Sequence, residues 1–317
     1  MAKMNEIYKK VADNLRARME SGQFQEWQQE YVRSGKGGKG NMIFPISLST
    51  GKNYSGINFG LLMMAQMMHG FSSTTWGTFK QFKAKGGSIN KGEKGTQILF
   101  FNFMYFDAQD NKMSEKQIKA GEPYARKIAF AREYTVFNLD QQTGYEAPAT
   151  TATVIDPTDE ESLCAEAEKA IAAYTEKEGV RLTHHDGSTS PYYNPAGDFI
   201  AMPERSLYSD MNSYYKTYFH EASHSTGHKN RLDRDTLKDY SDSLDIRATE
   251  EVTAEVSALF IATFYGIAFP SQEDNTASYV DHWKGNATDN DKAWYNGLKQ
   301  AEKACQYFLN AVGETTN

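Results

Sequence analysis

The chain has 317 residues, of which 39% are hydrophobic and 24% charged, and its formal net charge is −7. This composition is typical of a soluble globular protein and excludes disordered and collagen-like chains, and no segment approaches the roughly 18 unbroken apolar residues of a membrane helix. The polar first residues and the presence of only two cysteines, Cys164 and Cys305, indicate a cytoplasmic protein without a secretory signal, a disulfide framework or a thiolate zinc site.

The charge is divided unevenly along the chain. Residues 1–150 contain 20 Lys and Arg against 13 Asp and Glu, whereas residues 151–317 contain 14 against 28. Between residues 31 and 100, nine basic residues stand against a single acid, Glu93. This asymmetry indicates that the first half meets a polyanion, although two domains can also differ in charge by chance.

The first half of the chain predicts helices followed by strands. Apolar positions at helical spacing predict one or two amphipathic helices between residues 3 and 33, and a flexible basic loop follows at 35–40. The next elements are expected to be a buried helix at 57–68 and two strands, at 96–106 and 128–138. The apolar run from Ile98 to Phe106, interrupted by Asn102, predicts a buried strand. Prolines and small polar residues place a linker at 146–157.

The second half predicts more helix than strand. Three short strands are expected at 180–183, 192–193 and 199–202. Four helices are expected at 158–177, 213–226, 249–265 and 292–309. The sequence therefore predicts an α+β protein of two domains, at 1–145 and 158–317.

The sharpest motif is HEASH at residues 220–224. On a helix, His220 and His224 share one face and can bind one metal ion. Glu221 is then expected beside the open position of that metal, where it can take a proton from bound water. One Zn²⁺ ion is expected, because Zn²⁺ accepts both imidazole and carboxylate ligands.

A catalytic zinc site needs a third protein ligand. The extended motif HExxHxxGxxH fails, because Asn230 occupies the position of its third histidine. The next helix offers Glu251 as the ligand and Glu255 as a carboxylate that orients a ligand imidazole. Glu250 is the main rival for the ligand position. An ordinary acidic helix start remains the alternative to a metal site.

Basic residues alternate with aromatic and amide side chains between residues 31 and 100. Positive charge along a backbone, combined with rings that stack on bases, is how proteins bind single-stranded DNA without sequence preference. Neither a recognition helix nor a zinc finger for duplex DNA is visible. The alternative is that the rings belong to the core and the lysines form an ordinary surface. The candidate DNA-binding residues are Lys36, Lys39, Lys52, Tyr54, Asn58, Trp76, Lys80, Gln81, Lys83, Lys85, Lys91 and Lys94.

Several segments resemble a known family. The segments TGKNYSGIN, WGTFKQ, KGEKG and FNLDQ resemble the N-terminal domain of ArdC-type antirestriction proteins and related plasmid primases; they occupy residues 50–58, 76–81, 91–95 and 137–141. Residues 193–203, 220–232 and 250–255 resemble the metallopeptidase domain of the same family. Ala222 and Ser223 are smaller than the apolar residues usual inside this family's HExxH motif.

The resemblance implies a protein of a mobile element that binds single-stranded DNA and protects incoming DNA from host restriction. It also implies a zincin-like fold for the C-terminal domain, with a restriction-related host protein as the substrate if the site cleaves peptides. Two functions compete: a zinc metallopeptidase tethered to a DNA-binding domain, and a DNA-coating protein whose zinc domain is structural or vestigial. A metal-dependent nuclease is less expected, because nucleases usually cluster several carboxylates around Mg²⁺.

Overall fold

The structure is a computed structural model, and it describes residues 2–38, 44–146, 160–185, 190–269 and 290–314. Helices and strands occur in both halves of the chain, which confirms the predicted α+β class. Most of the predicted linker at 146–157 lies outside the described residues, as does Lys39. The domain limits drawn from the sequence therefore remain a prediction.

The N-terminal half, residues 2–146, begins with two helices and continues with a small sheet. Its helices are α1 (Ala2–Glu20), α2 (Gln23–Arg33), α3 (Ile57–His69), α4 (Phe79–Ala84) and α5 (Glu115–Lys119). Its strands are β1 (Ile46–Ser47), β2 (Thr75–Gly77), β3 (Ser88–Ile89), β4 (Thr96–Phe106), β5 (Arg126–Asn138) and β6 (Gln142–Thr143). The larger sheet has the order β1-β2-β5-β4. Strands β4 and β5 form a long antiparallel ribbon, paired from Thr96 with Val136 to Phe106 with Arg126.

The C-terminal half, residues 160–314, places a three-stranded sheet beside a set of helices. Its helices are α6 (Glu160–Glu178), α7 (Met211–Ser225), α8 (Asp235–Lys238), α9 (Leu244–Tyr265) and α10 (Asp291–Ala311). Its strands are β7 (Arg181–His185), β8 (Tyr192–Asn194) and β9 (Phe199–Pro203), in the order β7-β9-β8. Strand β7 runs parallel to β9, and β8 runs antiparallel to it.

Capping residues explain where the two central helices begin. Helix α7 starts after Asp210, whose side chain accepts a 2.7 Å hydrogen bond from the Ser213 N–H. Helix α9 starts earlier than the predicted residue 249, because the Ser243 side chain accepts a hydrogen bond from the Ile246 N–H. Such caps satisfy N–H groups that have no partner within the helix.

The two halves share one hydrophobic core, with helix α9 at its centre. Every residue of α9 from 248 to 265 is buried. The Phe59 ring of α3 meets the Phe260 ring of α9 edge to face at 5.5 Å between centroids. Gly60 lets α3 approach α10, since a Cβ at that position would lie 2.5 Å from Cδ1 of Leu298. The N-terminal half therefore packs directly on the helices that form the centre of the C-terminal half.

Across the described ranges, none of the helices is both long enough and apolar enough to cross a membrane.

Candidate metal centre

Three side chains from helices α7 and α9 converge at one point. The Nε2 atoms of His220 and His224 lie 3.2 Å apart. The Glu251 carboxylate approaches both of them, with Oε2 at 3.5 Å from Nε2 of His220 and Oε1 at 3.7 Å from Nε2 of His224. One potential ligand atom from each of the three lies within 4.8 Å of the others. The structure thus brings together the three residues predicted from the sequence to hold a metal.

Each imidazole also contacts a second carboxylate, other than that of Glu251, through its Nδ1 atom. Nδ1 of His220 lies 3.0 Å from Oε2 of Glu255, and Nδ1 of His224 lies 3.1 Å from Oε1 of Glu250. An ionised carboxylate can only accept, so both imidazoles donate from Nδ1, and Nε2 is the nitrogen left to bind a metal. Glu255 occupies the place expected for it, whereas Glu250 lies behind His224 rather than among the three converging residues.

This arrangement fits a divalent cation. Two imidazole Nε2 atoms and a carboxylate oxygen converge, and a bound cation would attract all three. Two nitrogens and one oxygen form a donor set typical of catalytic zinc, which takes water as its fourth ligand. Burial lowers the pKa of His220, but the hydrogen bonds to Glu251 and Glu255 outweigh it and raise that pKa to about 10. The same carboxylates that attract a proton would attract a metal ion.

A buried ion pair fixes Glu250. Arg234 donates from Nη2 to Oε1 at 2.6 Å and from Nε to Oε2 at 3.0 Å, and the Thr236 hydroxyl donates to Oε2 at 2.6 Å. Burial raises the pKa of Glu250, but Arg234 and His224 outweigh it and lower that pKa to about 2. Glu250 therefore stays ionised and keeps the Nδ1 proton of His224 in place.

Arg234 also explains the glycine that follows the motif. Its guanidinium donates to the Ser223 carbonyl and to the Thr226 hydroxyl at the end of α7, at 2.8 and 2.6 Å. A Cβ at Gly227 would lie 2.7 Å from that guanidinium. The glycine therefore makes room for the side chain that orients Glu250.

Tyr240 is a contact that the sequence did not reveal. It lies between α8 and α9, and its hydroxyl donates a hydrogen bond to Oε1 of Glu251. Its ring stands edge-on to the His224 ring at 6.4 Å, and the Arg247 guanidinium lies 5.2 Å from the ring centroid. Burial and the neighbouring Glu251 charge raise the pKa of Tyr240 far above its ordinary value. No motif marks this tyrosine among the 19 in the chain.

Glu221 lies on the same helix, next to His220, and is 7% exposed. Burial is the main cause that raises the pKa of Tyr208 and of Tyr240, and in both cases the negative charge of Glu221 adds to the effect. The carboxylate is thus close enough to act electrostatically on both tyrosines.

The candidate DNA-binding residues divide into two groups. Trp76 is fully buried against Leu62 and Ile98, so its ring has no face for a base, and the prediction that it stacks on DNA is wrong. Composition alone could not separate a core ring from a surface ring. Asn58 binds the backbone of Leu99 through both its amide oxygen and its amide nitrogen.

Other members of the set also have structural contacts. The Gln81 side chain completes the cap at the start of α4, and Lys36 donates to the Gly70 carbonyl. Tyr54 is partly buried against the cluster that contains Trp76. The lysines on the surface are Lys52, Lys80, Lys83, Lys85, Lys91 and Lys94.

Comparison with known proteins matches the two halves to two families. Residues 5–137 match the N-terminal domain of the anti-restriction factor ArdC, and residues 167–297 match a zincin-like metallopeptidase domain. The crystal structure of metal-free antirestriction protein ArdC from plasmid R388 aligns with a TM-score of 0.66 at 28% identity, over 97% of this chain and 98% of that one. The Mn(II)-bound structure aligns with a TM-score of 0.64, also at 28% identity, over 96% and 98%.

Sequence relatives include a protein of similar length and two larger ones. Uncharacterized protein y4eC of Sinorhizobium fredii is 28% identical over 96% of this chain and 91% of its own length. Two Escherichia coli proteins, both DNA primase TraC, are 31% and 28% identical over 94% and 96% of this chain. The chain spans only 19% and 27% of those primases.

Proposed function

Because the chain belongs to the ArdC-type antirestriction family, we propose that it is a zinc-dependent peptidase joined to a domain that binds single-stranded DNA. In this proposal it acts in the cytoplasm and protects the incoming DNA of a mobile element from host restriction. Its peptide substrate would be a restriction-related host protein. The convergence of His220, His224 and Glu251 is the observation that carries the peptidase assignment.

The three converging residues would hold the metal, and the surrounding carboxylates would keep them in place. When bound, Zn²⁺ supplies Lewis acidity and makes water reactive near neutral pH. Glu255 and Glu250 hold the two imidazoles in the tautomer that directs Nε2 inward. The Tyr240 hydroxyl restrains the Glu251 carboxylate.

Glu221 is the proposed general base. Its carboxylate would accept a proton from the attacking water and pass it to the amine that leaves. Low exposure limits competition from bulk solvent, and the position of Glu221 next to His220 on helix α7 supports a carboxylate close to the metal. Glutamine at this position is close in size but cannot accept the proton.

The test uses Glu221→Gln in the full chain, loaded with Zn²⁺ and supplied with dye-labelled denatured casein and single-stranded DNA. We expect hydrolysis to fall by about 10²–10⁴-fold, the usual contribution of a general base, while the metal content is unchanged. Glu176→Gln, an exposed change on α6, is the matched control. Undiminished hydrolysis by metal-loaded Glu221→Gln would exclude this role.

The shared core favours one alternative. Since α9 contacts the N-terminal half, a metal that ties α7 to α9 could serve mainly to stabilise a DNA-coating protein. The Glu221→Gln variant separates the two functions in cells that carry a restriction system. Loss of protection of incoming DNA supports the peptidase, whereas full protection supports coating of the strand.

A further inference from the structure

The β4–β5 ribbon carries a row of exposed rings on one face. Alternate residues of a strand point to the same side, so Phe101, Phe103 and Tyr105 share a face of β4. Phe101 and Phe103 are 46% and 39% exposed. The ring centroids of Phe101 and Phe103 are 6.3 Å apart, and those of Phe103 and Tyr105 are 6.4 Å apart. Clustered exposed rings of this kind mark interaction surfaces.

A cation lies over this row. Lys127 of β5 pairs with Tyr105 in the ladder, and its Nζ lies 3.9 Å from the centroid of the Phe103 ring and 5.4 Å from that of Tyr105. Glu133 is an acid on the same face, and Lys10 approaches its carboxylate at 3.5 Å. The rings are therefore accompanied by positive charge, and the nearby negative charge is partly compensated.

The same face continues into a cavity in the body of the protein. The cavity has a volume of about 420 Å³ and is lined by Trp27, Met64, Met68 and Leu99, with Lys94 at its wall. Leu99 precedes Phe101 by two residues, so the cavity and the rings lie on one continuous surface. A volume of this order accommodates a small planar group such as a nucleobase.

We propose that single-stranded DNA lies along this surface, with one base in the cavity and the following bases against Phe101, Phe103 and Tyr105. The inference rests on the proposed function, because its occupant is the DNA strand of that proposal. Rings that stack on bases beside lysines that meet phosphates are the usual means of binding single strands. The excess of basic residues between 31 and 100, which includes Lys94, favours a polyanion over a protein as the occupant.

The test is the affinity of the full chain for a fluorescein-labelled oligothymidine. We expect Phe101→Ser/Phe103→Ser to bind at least about tenfold more weakly, because one stacked base already contributes on that order. The control, Phe100→Ser/Tyr134→Ser, removes two rings from the opposite face of the same ribbon that are 45% and 42% exposed. It should change the affinity less than about twofold.

The outcomes distinguish an error in the proposed DNA path from an error in the proposed DNA-binding function. Equal affinities of the wild-type protein and Phe101→Ser/Phe103→Ser, or equal losses in both double variants, would overturn the proposed path. An unchanged affinity with loss of self-association would also overturn it, because a second copy would then occupy the face. A wild-type protein that does not bind oligothymidine would refute the DNA-binding function itself.

Discussion

His220 and His224 bring their Nε2 atoms within 3.2 Å of each other, and both nitrogens also face the Glu251 carboxylate. Each ring has its donor, Nδ1, on a carboxylate of helix α9. The two Nε2 atoms and a Glu251 carboxylate oxygen therefore converge within 4.8 Å of one another. Hydrogen bonds to Glu251 and Glu255 outweigh burial and raise the pKa of His220, so a proton stabilises this cluster without a metal and a bound cation would replace it.

Replacing Glu255, whose carboxylate contacts Nδ1 of His220, should weaken metal binding without removing a metal ligand. In Glu255→Gln the amide oxygen can still accept from Nδ1, but the negative charge that increases the basicity of the imidazole is lost. We expect Zn²⁺ affinity to fall by about 10–100-fold. Competition with a chromogenic chelator measures it, with Glu176→Gln as the control. An unchanged affinity would show that the charge of Glu255 has no influence on the site.

Replacing Glu250, whose carboxylate contacts Nδ1 of His224, should also lower the free energy of unfolding. Glu250→Gln leaves the Arg234 guanidinium buried without its anionic partner. Breaking one side of a buried pair costs about 3–5 kcal/mol. Urea unfolding of the metal-free protein should show this loss in free energy of unfolding for Glu250→Gln, and a smaller loss for Glu255→Gln. Equal losses in the two variants would mean that the ion pair between Arg234 and Glu250 contributes no more to stability than the contacts of Glu255.

The close approach of α3 to α10 can be tested at one glycine. In Gly60→Ala the new methyl would lie 2.5 Å from Cδ1 of Leu298, which is fully buried. Overpacking of this kind costs about 1–3 kcal/mol, against a gain of up to about 1 kcal/mol in helix propensity. We expect a net loss of stability, partly recovered in Gly60→Ala/Leu298→Val. A stabilised single variant would contradict the packing described between the halves.

The partly exposed ion pair between Glu168 of α6 and Arg205, which follows β9, should make the stability of the fold depend on pH. Burial raises the pKa of Glu168, but hydrogen bonds from Arg205 and Tyr215 outweigh it and hold that pKa below 4.5. Because the folded pKa is depressed, this pair stabilises the fold above pH 4.5 and loses its effect as the pH falls through the folded pKa. The Tm difference between the wild-type protein and Glu168→Gln should be largest at pH 7 and should shrink below pH 4.5. It should remain small because solvent screens the pair. A difference that grows on acidification would reverse the assigned sign.

The metal centre was the most predictable part of the molecule. A four-residue spacing places His220 and His224 on one face of any helix, and the same rule aligns Glu251 with Glu255. These positions depend only on helical geometry and on two helices lying side by side.

The other contacts of the site could not be predicted in this way. Arg234 and Tyr240 come from the segment between α7 and α9, outside those two helices, and their positions depend on how that segment folds back. For Trp76, the sequence predicted a contact with DNA that the buried ring cannot make. A basic and aromatic composition does not reveal which rings are buried. The exposed Phe101 and Phe103 were part of a strand that the sequence predicted to be buried.

The metal content of the purified full chain tests the central claim most directly. Elemental analysis after dialysis should find close to one zinc per chain in the wild-type protein and a strong depletion in His224→Ala, with Glu176→Gln matching the wild-type protein. Wild-type protein that remains free of metal after incubation with Zn²⁺, or His224→Ala that retains the full amount, would contradict the assignment of His220, His224 and Glu251 as a zinc site.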